Sequence, residues 1–449
     1  MPIEIYYILG LIAIICLLFI LFKRPIYECL FFGYILMLIL TGEYQNFFTY
    51  IEQTSTDTLF FSIVAFLALA KVLEITKAVD SIVNLIVALL GKIPGGAALA
   101  AVIGSTFMGS LSGSGAGNVA TTGVFTIPAM KKSGVPAHLA ANIECAASTM
   151  GNMIPPSGTI LAALACYNEF SKANMSQSTF WIVSWGIAIW FIVQRIITTL
   201  IFCKIYHVKP MAKEDIPNLK ETFKNGWKNL LLPIIILTPF ILDYFLKDTF
   251  FTSRLGADGA KYFSSSILIF TPGIAALYAL VVNRKNWKKK ELFNTMKNSV
   301  SGIVPVTATI FFAYCISNLF TATDVGANIG AYIVNWNLPI VALAFLIPLI
   351  CAILGMVLPG SAQTKIFGGT IITIFAAAGG NPLLAAAMLP VITGAMEGMT
   401  PPLAICLYTA MGIANSKMKE SVLNCLIWVL IHYLLSVICL LGILPIMGL

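Results

Sequence analysis

The chain has 449 residues, of which 59% are hydrophobic and only 10% are charged, and its mean hydropathy is +0.91. A soluble protein carries about 25% charged residues, so the composition excludes a soluble globular protein and predicts an all-α integral membrane protein. The net charge of +8 fits lysine and arginine in cytoplasmic loops. We therefore expect a chain that lies in a lipid bilayer and binds no nucleic acid.

The cysteines and histidines indicate no metal site. Ten cysteines are scattered singly without a CxxC pair, and His138, His207 and His432 lie far apart. Neither a zinc site nor a disulfide framework is signalled by this pattern. We expect no cofactor.

Apolar runs near the ~20 residues needed to cross a bilayer recur along the chain. They lie at about 5–22, 26–41, 57–73, 177–204, 229–246, 263–282, 300–319 and 422–446. Short amphipathic stretches follow the third and seventh of these runs, at about 79–91 and 324–336. Each amphipathic stretch precedes a segment rich in small residues and then a segment interrupted by prolines, so the two parts of the chain share one order.

Two Pro-Pro steps interrupt apolar segments, Pro155-Pro156 in GNMIPPSGTI and Pro401-Pro402 in EGMTPPLAICL. Upstream of each lies a tip of small residues, SGSGAG at about 112–117 and PGSAQ at about 359–363. The Pro-Pro steps are 246 positions apart and the tips keep nearly the same offset. One structural unit used twice is the simplest reading of this spacing.

A helix broken at membrane depth frees backbone groups that lipid cannot satisfy. A single proline in a spanning helix is usually a packed kink. Paired breaks in the two halves of a chain, in contrast, point to the binding site of a transporter. The pattern therefore predicts a carrier, and a channel fits the paired tips less well.

Lysine and arginine in the loops set the expected orientation. The cluster at 284–290, the linker at 207–228 and the turns at 131–132 and 23–24 all fall on the cytoplasmic side only if 96–130 is a re-entrant hairpin. The same rule makes 338–378 a second re-entrant hairpin that enters from the opposite face.

Two repeats of inverted topology follow from this count. We place the first repeat at 1–206 and the second at 229–449, joined by a cytoplasmic linker at 207–228. Each repeat contains a re-entrant hairpin and a Pro-Pro-broken helix, at about 135–166 in the first and about 383–413 in the second.

The tips and breaks offer two kinds of ligand group. Half-helix N-termini suit a carboxylate, and half-helix C-termini with hydroxyl and amide side chains suit sodium. From the residue types, we expect cation ligands at Ser112, Ser114, Asn118, Asn152, Ser361, Met399 and Thr400. For a small organic anion we expect Ser157, Thr122, Gln363 and Lys365.

Three charges stand inside apolar sequence, and such charges are functional hypotheses by default. Glu397 and Glu144 are possible proton carriers, and the alternative for Glu144 is a position close to the cytoplasmic end of its helix. Lys365 stands 247 positions after Asn118, at the corresponding place in the repeat. Its ammonium either replaces a bound cation, faces the substrate, or pairs with Glu397 as a structural ion pair.

The sequence resembles the large membrane subunit of the tripartite ATP-independent periplasmic (TRAP) transporters, within the ion-transporter superfamily. The resemblance covers essentially the whole chain and rests on FMGSLSGSGAGNVATTGVFTIPAMKKSGV, AANIECAASTMGNMIPPSGTI, GMVLPGSAQ and MTPPLAICLYTAMGIANSKMKES. The wording NVATTGVFTIP is most similar to the branch served by TAXI-type binding proteins.

This resemblance implies an elevator-type secondary importer of small organic anions, often carboxylates, in the bacterial inner membrane. It implies two partners, an extracytoplasmic substrate-binding protein and a small four-helix membrane subunit. It also implies sodium at the hairpin tips, which maps onto Ser112–Ser114 with Gly151 and Asn152, and onto Gly360 and Ser361 with Met399 and Thr400. Gly113, inside the first tip, belongs to this set.

The chain departs from the TAXI-type pattern at the second site. Relatives carry an acidic residue two positions before the second TPP, where this chain has Gly398 with Glu397 beside it. Sodium and proton coupling therefore both stay open. The alternative function is a stand-alone anion symporter or a sodium/proton antiporter of the same superfamily. An enzyme is disfavoured, because no nucleophile lies near a general base in the tip loops.

Overall fold

The computed structural model describes residues 2–112, 115–172, 175–336, 338–356, 358–400 and 404–449, and in these ranges the regular structure is helical throughout. The helices are α1 (Ile3–Cys16), α2 (Ile26–Thr41), α3 (Phe47–Ser55), α4 (Thr58–Ile75), α5 (Ala78–Leu90), α6 (Gly96–Ser112), α7 (Gly115–Lys132), α8 (Ala137–Thr149), α9 (Gly158–Ser171), α10 (Gln177–Ile205), α11 (Leu219–Gly226), α12 (Leu231–Leu246), α13 (Thr252–Val282), α14 (Lys289–Ala322), α15 (Val325–Val334), α16 (Ile340–Leu354), α17 (Gly360–Ala377), α18 (Pro382–Pro390), α19 (Ile405–Ala414) and α20 (Met418–Leu440).

Seven helical segments in the described ranges are long and apolar enough to cross a membrane. They are Ile3–Leu21, Thr58–Ile75, Gln177–Ile205, Lys213–Leu246, Tyr262–Val282, Val304–Ala322 and Met418–Leu440. Other apolar helices are shorter: α19 has 10 residues and is therefore about 15 Å long, half of the ~30 Å hydrocarbon core. The all-helical membrane fold predicted from composition is confirmed.

The order of elements from α5 to α10 recurs from α15 to α20. Each series has a short helix, two helices joined at a tip, two helices separated by a break, and a long closing helix. The same turns recur as well: Lys77 before α5 and Asp324 before α15 both have left-handed backbone, with φ of 54° and 52°. We call α6–α7 the first hairpin, α16–α17 the second hairpin, α8–α9 the first broken helix and α18–α19 the second broken helix.

The breaks are local departures from α-helix geometry. The first broken helix passes through a 3₁₀ turn at Met150–Met153 and an extended Ile154 before α9 begins. The second passes through a π-helical turn at Val391–Ala395. Pro401 and Pro402, the second Pro-Pro step, lie outside the described residues. Pro390 at the end of α18 precedes the π turn, and since proline removes a backbone donor, it disturbs the helix there.

The hairpins and broken helices pack crosswise between the two series. The helix α7 packs on α19, and α17 packs on α9. The 3₁₀ turn at Met150–Met153 contacts the π turn at Val391–Ala395. The 3₁₀ turn of the first broken helix and the π turn of the second therefore lie against each other.

Side chains are distributed as in a protein that faces lipid. Large apolar residues such as Ile201, Leu430 and Leu434 are exposed on the outside. A few charged residues are buried: Glu144 and Arg195 have no exposed surface and Lys365 is 1% exposed. Since charges inside a membrane face the bundle interior, these three mark the interior of the bundle.

Glycine lets the first hairpin touch the first break. A Cβ atom built on Gly151 would lie 2.0 Å from the carbonyl carbon of Gly109 and 2.3 Å from its Cα. Both contacts are with backbone, which cannot rotate away. The close approach of α6 to the 3₁₀ turn is thus possible only because residue 151 is glycine and has no Cβ atom.

We predict that Gly151→Ala lowers the melting temperature of the purified protein, because overpacking of this kind costs about 1–3 kcal/mol or more. The matched control is Gly412→Ala in α19, where an added Cβ meets no atom within 4 Å. Thermal unfolding in detergent, followed by intrinsic fluorescence, measures both. Equal melting temperatures for the two variants contradict the packing described for Gly151.

Candidate functional site

The hairpin tips and the breaks surround a cavity of about 330 Å³. The hairpins and broken helices supply Gly115, Thr149, Asn152, Thr159, Pro359, Ser361, Glu397, Gly398, Ile405 and Cys406. The start of α2 and the middle of α14 close the remaining side with Pro25, Ile26, Tyr27, Pro305, Val306 and Thr309. Hydroxyl, amide and carboxyl groups thus share this cavity with apolar walls, as in small-molecule sites.

A second cavity of similar volume is apolar. It lies between α6, the first Pro-Pro step, α10 and α12, and its lining includes Ile103, Phe107, Trp185 and Leu237. Few polar groups reach it, so it lacks the groups that would orient a charged ligand. We place the functional site at the first cavity.

Part of the first tip lies outside the described residues. Gly113 and Ser114 fall there, and for Ser112 only its backbone, at the end of α6, is described. The rest of this predicted cation set is described. Asn152 lines the cavity, and Gly151 packs on Gly109.

Asn118 is buried at the base of the first tip. Its Nδ2 donates to the backbone carbonyl of Ser105 (2.6 Å) and to Oγ of Ser148 (3.0 Å). Its Oδ1 is buried without a hydrogen-bond partner. A buried amide oxygen without a donor is costly, so the prediction that Asn118 binds a cation has an unused acceptor atom to rest on.

Glu144 lies close to Asn118, and four hydroxyl groups surround its carboxylate. Its carboxylate accepts hydrogen bonds from Ser105 (2.7 Å), Thr122 (2.7 Å), Thr126 (2.5 Å) and Ser148 (3.1 Å). No described lysine, arginine or histidine forms an ion pair with it. Ser105 and Ser148 therefore connect a buried carboxyl group to the amide of Asn118.

The first break is tied to the second series through Asn152. Its Nδ2 donates to the carbonyl of Gly394 in the π turn at 2.5 Å. Ser157 Oγ donates to the carbonyl of Asn152 at 2.7 Å and accepts the N–H of Thr159 at 3.2 Å. These bonds satisfy backbone groups that the break removes from the helix ladder.

At the second tip a carboxylate meets the end of a helix. Glu397 Oε2 accepts the backbone N–H of Gly360, the first residue of α17. A Cβ atom on Gly360 would lie 2.3 Å from the Cα of Gly394. Ser361 lines the cavity beside them, while Thr400 Oγ1 donates to the carbonyl of Met396 at 3.0 Å.

Lys365 pairs with Glu169. The ion pair with Glu397 that the sequence offered as one alternative is not formed, since Glu397 accepts the N–H of Gly360. The Lys365 ammonium forms a salt bridge with Glu169 of α9 and lies 4.5 Å from the ring centroid of Tyr314 in α14. The pair joins the second hairpin to the first broken helix. Lys365 stands 247 positions after Asn118, so the second series has an ammonium group where the first series has the amide of Asn118.

The structure brings some predicted residues to the cavity and not others. Asn152, Ser361 and Glu397 line it. Ser157, Thr122, Gln363 and Lys365, the residues predicted for substrate, are buried among helices and do not line it. Gln363 Nε2 donates to the carbonyl of Leu358 at 2.9 Å, and its Oε1 is buried without a partner.

Comparison with known protein families identifies the family to which this architecture belongs. The family model described as "Tripartite ATP-independent periplasmic transporter, DctM component" matches residues 12–447. The chain belongs to the DctM family. It is a transporter subunit, not an enzyme, and a multi-pass protein of the inner membrane.

Relatives within this family are distant in sequence. The chain is 24% identical over 350 residues to the isethionate TRAP transporter permease protein DctMQ of Oleidesulfovibrio alaskensis, covering 76% of this chain and half of that protein's length. It is 24% identical over 371 residues to the C4-dicarboxylate TRAP transporter large permease protein DctM of Vibrio cholerae, covering 80% of this chain and 78% of that one. The Escherichia coli large permease YiaN, named for 2,3-diketo-L-gulonate, is 23% identical over 80% of this chain and 78% of its own.

Solved structures share the fold of this DctM-family chain. The YdaH transporter of Alcanivorax borkumensis matches with a TM-score of 0.61 at 16% identity, over 90% of this chain and 88% of that one. MtrF of Neisseria gonorrhoeae matches with a TM-score of 0.57 at 17% identity, over 91% and 84%. At these identities the likeness concerns the fold.

Sequence reasoning missed a buried cation of this DctM-family chain. Arg195 of α10 donates from Nε to the carbonyl of Ala146 at 3.1 Å, and its Nη2 lies 3.0 Å from Nδ1 of His432. Since arginine only donates, Nδ1 accepts, and Nε2 of His432 donates to the carbonyl of Val391 at 3.0 Å. Arg195 of α10 and His432 of α20 thus donate to the carbonyls of Ala146 and Val391, each close to one of the two breaks. An arginine within a long apolar helix is the signal that could have found this pair.

We predict that Glu169→Gln destabilises the protein by about 3 kcal/mol, because it leaves the ammonium of Lys365 buried and unpaired. We use the lower end of the usual range since the Glu169 side chain is 31% exposed. The double variant Lys365→Met/Glu169→Gln removes both charges and should recover most of the loss. Thermal unfolding of the three proteins measures this, and additive losses in the double variant contradict the pairing.

Proposed function

We propose that this chain is the large membrane subunit of a secondary importer of small organic anions, driven by an ion gradient. The observation that carries the proposal is the cavity shared by both tips and both breaks. Isethionate, C4-dicarboxylates and 2,3-diketo-L-gulonate, the compounds in the names of three relatives, are all small acids. A cavity of about 330 Å³ is large enough for a molecule of that size.

The first tip is the proposed cation site. Asn118 Oδ1 supplies an oxygen without a donor, and the buried carboxyl group of Glu144 lies two hydrogen bonds away. Carbonyl groups at the first break and the backbone around Ser112, Gly113 and Ser114 complete the proposed shell. Sodium and a proton carried by Glu144 are the two coupling ions that suit this chemistry.

We propose that the two hairpins and the two broken helices move together as the transport domain of an elevator-type transporter. The hairpins and broken helices pack crosswise on one another, which suits a unit that moves as one piece. The start of α2 and the middle of α14 belong to the wall past which this unit moves. Pro25 and Tyr27 line the cavity next to the Lys23-Arg24 turn, which positive-inside counting places in the cytoplasm. The cavity therefore fits a state that opens to the cytoplasm.

Two partners belong to the proposal. An extracytoplasmic substrate-binding protein delivers the anion, and a small membrane subunit braces the outer helices. The support is membership of a tripartite family. The exposed apolar faces of α10 and α20 are surfaces for lipid or for such a subunit.

The experiment is reconstitution of the chain in liposomes with its binding protein and small subunit. Uptake of labelled isethionate, succinate and 2,3-diketogulonate is measured under a sodium gradient, a proton gradient or neither. We expect uptake of at least one anion that needs both a gradient and the binding protein. Gradient-driven uptake by the chain alone supports the stand-alone symporter instead, and passive uptake without a gradient contradicts the proposal.

Asn118→Ala tests the cation site. Loss of one oxygen ligand should raise the sodium concentration for half-maximal uptake roughly tenfold, since contacts with a charged group are worth about 1.5–3 kcal/mol. Asn142→Ala in α8 is the matched control, because Asn142 is likewise buried with an Oδ1 that has no partner, but its Nδ2 donates to the carbonyls of His138 and Ser421 and not to a group of the hairpin. An unchanged sodium dependence in Asn118→Ala, with wild-type uptake, removes Asn118 from the site.

A further inference from the structure

One carboxylate of this chain already occupies a place suited to an organic anion. Glu397 lines the cavity, and its Oε2 accepts the N–H of Gly360, which opens the 18-residue helix α17. A helix N-terminus presents free N–H groups and a partial positive charge, so it binds carboxylates. The side chain of Glu397 therefore binds where the carboxylate of a transported anion would bind.

A second observation marks the same helix end as a ligand site. Gln363, in the first turn of α17, is 1% exposed and donates from Nε2 to the carbonyl of Leu358 at the tip. Its Oε1 has no hydrogen-bond partner. Gln363 itself does not line the cavity, but it stands two residues after Ser361, which does, so an unpaired acceptor lies at this helix end.

No positive side chain compensates Glu397 within the cavity. The described residues that line it include one carboxylate and no lysine, arginine or histidine. Lys365, on the same helix, pairs with Glu169, and Arg195 is held by Ala146 and His432. An ionised Glu397 and a bound anion would therefore repel each other at close range.

The elements packed around Glu397 hold few other titratable groups. Tyr27 at the start of α2 and Cys406 of α19 line the cavity, and the pair Arg24–Glu28, whose side chains are 61% and 32% exposed, flanks Tyr27 in sequence. The described parts of α16, α19 and the spanning part of α14 carry no charged residue, and Glu144 is enclosed by its four hydroxyl donors. Changes in anion binding with pH should thus originate at Glu397.

We propose that Glu397 is a tethered competitor of the transported anion, which must take up a proton before the anion binds at the N-terminus of α17. This inference rests on the proposed function and adds its coupling step. A proton from water binds a carboxylate oxygen of Glu397, which becomes neutral and releases its hold on the N–H of Gly360. The carboxylate of the anion then accepts that N–H. After the anion leaves on the other side, Glu397 loses the proton to water and takes the N–H again, so one proton crosses with each anion.

Only the second series has a carboxylate that can compete with the anion at the tip. The residue that corresponds to Glu397 in the first series, at the 246-position offset of the two Pro-Pro steps, is Gly151. A glycine has no side chain that could compete for an N–H donor. The first tip is therefore left for the proposed cation and the second for the anion.

The decisive experiment uses a thiol placed beside Glu397 and needs no substrate. Ser361→Cys is introduced in the chain, alone and together with Glu397→Gln, and both proteins are reconstituted with their partner subunits. Labelling by the anionic reagent 2-sulfonatoethyl methanethiosulfonate and by the cationic 2-trimethylammonioethyl reagent is measured at pH 5.5 and pH 8. Cys406, which also lines the cavity, is replaced by serine in both proteins, and mass spectrometry localises the label to residue 361. The ratio of the two rates cancels the ionisation of the thiol itself.

We expect the anionic-to-cationic ratio at residue 361 to rise about tenfold between pH 8 and pH 5.5 when Glu397 is present. With Glu397→Gln the ratio should be high at both pH values. Glu397→Asp should keep the pH dependence, which separates the charge from side-chain packing. A ratio that does not change with pH when Glu397 is present, or one that still changes in Glu397→Gln, overturns the proposal.

A transport measurement separates this inference from the proposed function. In Glu397→Gln, exchange of internal for external anion should continue, while net uptake no longer responds to an imposed proton gradient. If neither the wild type nor the variant moves any of the three acids, the proposed function fails while the labelling result still decides the role of Glu397. If the wild type imports an acid and Glu397→Gln keeps the same pH dependence, the competitor role fails alone.

Discussion

The fold depends on satisfying the backbone groups that two broken helices expose inside the membrane. Lipid offers no hydrogen bonds, so each break must find its donors and acceptors within the protein. Asn152 reaches across to Gly394, Ser157 turns back to the first break, and Arg195 and His432 bind the carbonyls of Ala146 and Val391. The same contacts bring both breaks to one cavity. The candidate site therefore lies where the exposed backbone groups of the two breaks find their hydrogen-bond partners.

The two series share a skeleton but differ in chemistry. Ser105 and Thr122 of the first hairpin correspond, 247 positions later, to Ala352 and Gly369, and Glu144 of the first broken helix corresponds, at the 246-position offset of the Pro-Pro steps, to Pro390. The first series therefore holds a buried carboxylate among hydroxyl groups, and the second is apolar at the same place. The carboxylate of the second series instead lies at the tip, as Glu397. This division favours different ligands at the two tips, although the backbone is built alike.

Much of the architecture could be predicted because composition and backbone chemistry determine it. Hydropathy located the helices, and the Pro-Pro step placed a broken helix at 135–166 where the structure has α8 and α9, ending at Ser171. The side chains that face the cavity could not be predicted in the same way. In segments of glycine, alanine, serine and threonine every face is small and mildly polar, so periodicity does not show which face is buried. Thr122 and Ser157 were accordingly assigned to substrate and lie elsewhere, while Tyr27 and Thr309 reach the cavity from helices far away in sequence.

The crosswise packing of the hairpins also bears on how the chain is made. The helix α7 packs on α19, which is complete only when synthesis reaches Ala414. The first hairpin, with its small-residue tip, is therefore synthesised long before its partner exists. During that interval its polar groups, including those of Asn118 and Glu144, must be shielded from lipid by other means, such as water or the insertion machinery. A chain cut between the two series would leave each hairpin without its partner, so the halves are one unit of folding even though they are two units of sequence.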